Sequence, residues 1–84
     1  MKYNFRPLGK NILVEPEIET NAFGVEMEKE TGSVIAVGDE VTKVKVGEVL
    51  IWESMWAVKV VEIDDIKYRF IGEDSPFLLG IRND

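Results

Sequence analysis

Hydrophobic residues along this chain either alternate with polar ones or form short runs bounded by glycine, a pattern that predicts β-strands throughout and no amphipathic helix. A first strand is expected at residues 12–15, where Pro16 stops it or places it at a sheet edge. A second strand, buried on both faces, is expected between Gly32 and Gly38. Further strands are expected at residues 49–52, 55–63, 66–70 and 77–81.

The fourth and fifth of these strands have the pattern of a β-hairpin. Trp56, Val58 and Val60 fall on one face of the fourth strand. Asp64-Asp65 supply the turn before the next alternating run. Short strands separated by glycine and acidic turns indicate one all-β domain spanning residues 1–84, a small barrel or sandwich.

The stretch "TNAFGVEMEKETG", residues 20–32, fits neither regular pattern. Its apolar residues are spaced too irregularly for a strand, and Gly24 near its middle disfavours a helix. Loops of this length are usually functional or disordered. Phe23, Val25 and Met27 are therefore expected to stand in water on a long loop, which raises the question of what partner covers them.

Composition narrows the possible chemistry. The 84 residues include no cysteine and no histidine, which removes disulfides, thiol nucleophiles, imidazole bases and Cys/His zinc sites. A domain of this size buries a modest core, so oligomerisation is the expected source of additional stability. The net charge of −6 disfavours a nucleic-acid partner. No apolar run approaches the ~18 residues of a membrane span and none resembles a signal peptide, so a soluble, cytoplasmic protein is expected.

Two acidic clusters are candidates for a chemical site. Glu15, Glu17 and Glu19 would share one face of a strand, but Ca²⁺ requires six or more oxygen ligands and a loop to wrap it, so a solvated face is the favoured interpretation. Asp64-Asp65 would need a buried carboxyl with a raised pKa to act as an acid or base, whereas adjacent aspartates are common in turns. The sequence thus predicts a binding protein without metal, cofactor or catalytic residues.

The aromatic residues and the chain ends are candidates for binding surface. Trp52, at the end of an apolar strand, is expected in the core, and Trp56, after a polar turn, is expected to be partly exposed. Both chain ends, "YNFRPL" and "FLLGI", are apolar. Terminal strands leave open edges that must be paired, either with each other in one chain or between subunits of a head-to-tail ring. Because the core is small, pairing between subunits is favoured.

The order of these features resembles the co-chaperonin family, the GroES-like lids of chaperonin cages. The residues that carry the resemblance are, in chain order, "RPL", "NILVEP", "TGSVIAVG", "VKVGEVLIW", "VKVVEIDDIKYRFIGEDS" and "FLLGI". They run over most of the chain, and the blocks "RPL", "AVG" and "VKVG" in this order are more specific than any one alone. The resemblance implies a small GroES-like β-barrel that assembles into a ring, typically a heptamer.

The resemblance also implies two sets of contact residues. In the ring the last strand of one subunit pairs with the first strand of its neighbour, which assigns the subunit interface to Phe5, Arg6, Pro7, Leu8, Phe77, Leu78, Leu79 and Ile81. Residues 17–32 take the place of the family's mobile loop, which is unfolded when free and folds on a GroEL-type chaperonin. Its binding residues are then Phe23, Gly24, Val25, Glu26 and Met27, with Val25 and Met27 facing the partner's groove and Glu26 facing away.

Three departures from the family pattern accompany the resemblance. Glu26 interrupts a tripeptide that is usually apolar, and the loop is shorter than the family norm. The roof segment at residues 39–45 is too short for the usual hairpin, so an open dome is expected. Trp56 stands where the family commonly has a smaller aromatic residue lining the cavity, so it is expected to face the enclosed client. A compact, divergent version of this kind is what we expect of a virus-encoded lid.

The resemblance therefore implies a co-chaperonin that caps a chaperonin ring in a nucleotide-dependent way and assists folding of an enclosed client protein. The alternative is a GroES-fold structural or assembly adaptor that no longer binds a chaperonin, for which Glu26 and the short roof argue. GroES-like barrels also occur in zinc-dependent dehydrogenases, but those need Cys or His ligands and a separate cofactor domain, both absent from this sequence.

Overall fold

The computed structural model describes residues 6–53 and 59–82, and within these ranges the chain forms strands and turns without helix. The six strands are β1 (Asn11–Thr20), β2 (Glu26–Val37), β3 (Val49–Trp52), β4 (Lys59–Ile63), β5 (Ile66–Gly72) and β6 (Leu78–Arg82). Neighbouring strands all pair antiparallel, in one sheet of order β4-β5-β1-β2-β3-β6. The prediction of an all-β domain is confirmed.

One apolar core lies inside the curve of this sheet. It contains buried residues from four strands and one loop, namely Ile12, Val14, Val34, Val44, Leu50, Trp52 and Ile71. The sheet curls around this core, because Arg82 of β6 donates to Glu17 of β1 at 2.9 Å although β2 and β3 lie between them. In a flat sheet those two strands would be about 14 Å apart. The result is a small β-barrel, with β4 and β6 as the edges of the sheet in the described part of the chain.

The outer face of the sheet carries a second, smaller apolar cluster. It consists of Leu13, Ala36 and Tyr68, which are buried, and Ile35, Ile63 and Phe70, which are partly buried. Since Leu13 lies between Ile12 and Val14 of the inner core, the central strands are covered on both faces. The expectation of a doubly buried strand before Gly38 is therefore confirmed, as is the core position of Trp52, which is 1% exposed.

Strand β1 continues through Pro16, so the expected stop after residue 15 is wrong. The direction of its backbone groups explains how proline fits there. The Lys10 carbonyl accepts a hydrogen bond from the N–H of Glu73, at the end of β5. Even-numbered residues of β1 therefore direct their backbone groups toward β5. Pro16 has no N–H to donate on that side, and the pairing of β1 with β5 covers only Asn11–Val14.

Residues 20–32, expected as an irregular loop, are instead the end of β1, a short turn and the first half of β2. Glu19 pairs with Met27 and Thr20 with Glu26 across this hairpin. Both strands are solvated on both faces here, so hydrophobic and polar residues do not alternate. The pattern that marks a half-buried strand is consequently missing from the sequence.

The third strand and the hairpin after it follow the sequence more closely. β3 has the predicted bounds, and β4 pairs with β5 around Asp64 and Asp65. Both aspartates have positive φ, 52° and 65°, as in the type I′ turns favoured by two-residue hairpins. Val60, expected on the packed face of β4, is half exposed, and Ile63 contacts the outer cluster instead.

Two glycines of the "TGSVIAVG" segment stand where the structure has no room for a side chain. A Cβ on Gly38 would lie 2.1 Å from the carbonyl oxygen of Gly9, because the N-terminal turn crosses the end of β2 there. A Cβ on Gly32 would lie 2.8 Å from the carbonyl oxygen of Glu15 and 2.9 Å from the ring of Trp52. The close approach of backbone and indole therefore requires glycine at both positions.

Replacing Gly38 by alanine is expected to lower the free energy of unfolding by at least about 2 kcal/mol, because the added methyl group overpacks against the backbone of Gly9. The control is Gly72→Ala, since a Cβ on Gly72 has no neighbour within 4 Å. Chemical denaturation at fixed protein concentration, followed by circular dichroism, measures both. Equal free energies for the two variants would contradict the account of this crossing.

Candidate functional site

Strands β1 and β2 extend beyond the barrel as a two-stranded ribbon. Pairing of β5 with β1 ends at Val14, and pairing of β3 with β2 covers only Thr31–Ser33. Residues 17–30, which we call the ribbon, therefore have no third strand beside them in the described part of the chain. A two-stranded hairpin is marginally stable by itself, so contacts at its two ends decide whether it keeps its shape.

The tip of the ribbon is a tight turn organised by Asn21. Its side-chain oxygen accepts hydrogen bonds from the backbone N–H of Phe23 at 2.8 Å and of Val25 at 3.1 Å. Gly24 has a φ of +80° and donates its N–H to the Asn21 carbonyl at 3.0 Å, a conformation that favours glycine. Sequence reasoning gave Asn21 no role, although an asparagine that bonds the backbone two residues on is a recognised turn signal.

The apolar side chains near the tip face solvent. Phe23 is 91% exposed, Met27 58% and Val25 54%. Glu26 and Met27 are consecutive residues of a paired strand, so their side chains project from opposite faces of the ribbon. A group of exposed apolar residues at the end of a projecting hairpin has the character of a surface that binds a partner.

The base of the ribbon contains a bulge. A single residue of β1, Glu17, opposes three residues of β2, 29–31. The Glu17 carboxylate accepts two hydrogen bonds from Arg82, at 2.9 and 3.1 Å, and a third from the hydroxyl of Thr31. These donors, Arg82 first and Thr31 second, hold the pKa of Glu17 below its ordinary value of 4.5.

A second ion pair joins the ribbon to the barrel. Arg69 of β5 donates to the carboxylate of Glu28 on β2. The two side chains are 12% and 25% exposed, so the pair is largely withdrawn from water. Sequence reasoning missed this pair, because partners 41 positions apart carry no local signal.

The expectation that Glu15, Glu17 and Glu19 form one solvated face is wrong for Glu17. Glu15 and Glu19 are exposed, whereas Glu17 is partly buried and bonded to Arg82. Across residues 6–53 and 59–82, no group of carboxylates is arranged to hold a metal ion. Nor does any helix in the same ranges have the length and apolar character needed to cross a bilayer.

The short roof segment, residues 39–45, is fastened to the barrel by Glu73. This side chain is 8% exposed, and one of its carboxylate oxygens accepts the backbone N–H of Thr42 at 2.9 Å and of Lys43 at 2.6 Å. Val44 is buried in the inner core. Glu73 had no predicted role, because in sequence it is one more acidic residue in a turn after a strand.

The residues predicted for subunit contacts divide into exposed and inward-facing ones. The exposed set is Arg6, Leu8, Phe77 and Leu79, with Leu8 69% and Leu79 59% exposed. The inward set is Pro7, which is buried, and Leu78 and Ile81, which pack against the inner core. β6 is an edge of the sheet in the described part of the chain. Phe5 and the predicted cavity residue Trp56 lie outside the described residues.

Comparison with known proteins decides the family. No family model matches the chain. It is 40% identical to the Co-chaperonin GroES of Campylobacter concisus (strain 13826) over 86 aligned positions, which cover 93% of this chain and 96% of that protein. The Co-chaperonin GroES of Campylobacter curvus (strain 525.92) is 36% identical over the same shares of both chains. The chain belongs to the GroES co-chaperonin family.

Membership of the GroES family confirms the interpretation of the ordered sequence blocks. The barrel agrees with the GroES-like all-β fold that those blocks implied. Two of the block residues, Gly32 and Gly38, also have a structural reason in the contacts that a side chain would make. The resemblance therefore rests on residues that this fold needs.

Acid is expected to weaken the attachment of the ribbon in this GroES family member. Because the folded-state pKa of Glu17 is lowered, its ionised carboxylate stabilises the folded protein above the ordinary pKa of 4.5. That contribution is lost as the pH falls through the lower folded value. The stability difference between the wild type and Glu17→Gln should therefore shrink below pH 4.5. Thermal midpoints from about pH 3 to pH 7 measure it.

The matched control for this titration is Glu19→Gln, at an exposed position of the same strand. It removes the same charge, and its midpoints should follow the wild-type curve. A difference between the wild type and Glu17→Gln that stays constant across the whole pH range would contradict the assignment.

Proposed function

We propose that this GroES family member caps a GroEL-type chaperonin ring in a nucleotide-dependent way and helps an enclosed client protein to fold. It acts in the cytoplasm and has no catalytic activity of its own. The observation that carries the proposal is the ribbon tip, where Phe23, Val25 and Met27 are exposed on a chain aligned over 93% of its length with proteins named Co-chaperonin GroES. These apolar side chains are anchors for a groove on the partner.

The ribbon suits reversible capping. Val25 and Met27 are two positions apart along the chain, and Glu26 between them projects from the other face, so the acidic residue stays out of the groove. Each ribbon buries a small apolar surface, so a single ribbon binds weakly. Several ribbons on one ring act together and give avidity, while each contact remains able to open when the chaperonin changes state.

The ring forms through the terminal segments. β6 leaves one backbone edge without a partner in the described part of the chain, and Leu79 on it is 59% exposed. Open strand edges with apolar side chains pair readily with another strand. The N-terminal segment of the neighbouring subunit, which carries Leu8, is the partner we propose, and seven subunits close the ring. Trp56 faces the enclosed client.

Replacing Met27 by aspartate is expected to abolish capping, because a carboxylate cannot enter an apolar groove without losing its hydration. The measurement is co-sedimentation of the protein with a GroEL-type chaperonin in the presence of ATP. The control, Val46→Asp, introduces the same charge at a residue of similar exposure outside the ribbon and should bind as the wild type does. Undiminished capping by Met27→Asp would refute the role of the ribbon tip.

Replacing Leu79 by aspartate is expected to break the ring into monomers that keep the barrel fold, since the charge falls on the proposed intersubunit edge. Sedimentation velocity gives the mass of the assembly, and circular dichroism tests the fold. Val46→Asp again serves as the control for an added charge. A Leu79→Asp protein that remains a full ring would place the interface elsewhere.

A further inference from the structure

The bulge at the base of the ribbon interrupts the pairing of β1 with β2. Three residues of β2, 29–31, stand opposite Glu17 alone, so the regular ladder of backbone hydrogen bonds stops there. Beyond the bulge no third strand accompanies the ribbon in the described part of the chain. The orientation of the ribbon on the barrel therefore depends on side chains close to the bulge.

Two ion pairs bracket the bulge. Glu17 lies within it and bonds Arg82 of β6, whereas Glu28 lies directly beyond it and bonds Arg69 of β5. All four side chains are partly withdrawn from water, with exposures between 12% and 36%. Charge-assisted hydrogen bonds in such surroundings are stronger than those of fully exposed ion pairs.

The two pairs connect opposite faces of the ribbon to opposite sides of the barrel. Glu28 is the register partner of Ile18 and shares its face, and Glu17 precedes Ile18, so the two glutamates project from opposite faces. β5 adjoins β1 on one side of the sheet, whereas β6 adjoins β3 on the other. Rotation of the ribbon about the bulge in either direction consequently separates one of the pairs.

We propose that Glu17–Arg82 and Glu28–Arg69 are positioning pairs that keep the ribbon folded and in one orientation before the partner arrives. This inference rests on the proposed function, since it concerns how the apolar tip reaches the chaperonin. A segment already ordered in the free protein loses less conformational entropy on binding than an unfolded loop does. The pairs thereby raise the affinity of each ribbon, and the ring multiplies the gain.

Amide hydrogen exchange of the free protein tests the proposal without any partner. Glu28→Gln and Glu17→Gln each remove one charge at nearly constant volume. Each should speed exchange of the ribbon amides, residues 18–28, about tenfold, the change expected on losing one charge-assisted bond. Amides of the barrel core at residues 12–14 should keep their wild-type rates, which shows that the variants fold.

Two further variants separate positioning from a general loss of charge. Glu30→Gln removes the same charge from an exposed residue of the same strand and should leave ribbon exchange unchanged. Glu28→Arg combined with Arg69→Glu reverses the pair and should return the ribbon amides toward wild-type rates. Chaperonin affinity in ATP should fall about tenfold in the two single glutamine variants and recover in the reversed pair.

Ribbon amides of the wild type that exchange as fast as those of an unfolded chain would overturn the proposal. Equal ribbon rates in the wild type and both glutamine variants would overturn it as well. If the ribbon is protected, loses protection in the variants, and yet the wild type binds no chaperonin, the positioning pairs stand and the proposed function fails. The exchange arm and the binding arm thus distinguish the two.

Discussion

Strand β1 has neighbours on both sides only as far as Val14, and this limit determines the shape of the rest of the molecule. Ile12, Leu13 and Val14 have no exposed surface and join the inner core to the outer cluster. Pro16 then offers no N–H toward β5, so β1 leaves the barrel with β2 as its single partner. One ten-residue strand therefore supplies both the centre of the core and one arm of the ribbon.

The curled sheet and the ribbon are linked at one place. The bond from Arg82 to Glu17 reaches from β6 to β1 where the ribbon begins. Close packing beside it, with the Trp52 ring against Gly32, leaves no space for the base of β2 to shift inward. The ribbon thus starts from a rigid part of the barrel and becomes less supported toward its tip, where Asn21 organises the turn.

How much of this the sequence predicts depends on whether a residue's environment leaves a local pattern. β3 and the Asp64-Asp65 turn follow from an apolar run and a turn motif, and both have their predicted positions. The arms of the ribbon were mistaken for a loop, because strands exposed on both faces show no alternation. The apolar tip was found because Phe23 and Met27 are out of place in an acidic segment.

The ion pairs and the fastening of the roof were not predictable in this way. Glu17 and Arg82 are 65 positions apart, and Glu28 and Arg69 are 41 apart. In a chain with 16 acidic residues, no local feature marks the few that are withdrawn from water. Their roles arise from the curl of the sheet, which brings distant strands together and is a tertiary property.

The ribbon and the family relationship lead to one central claim, that the assembled protein joins a chaperonin through many weak contacts when nucleotide is bound. Native mass spectrometry of the wild-type protein with a GroEL-type chaperonin, with ATP and without it, tests this most directly. We predict a ring of this protein that adds as one unit to the chaperonin when ATP is present and stays separate without it. A stable ring that remains separate from the chaperonin in both conditions would contradict the account and favour a structural or assembly role.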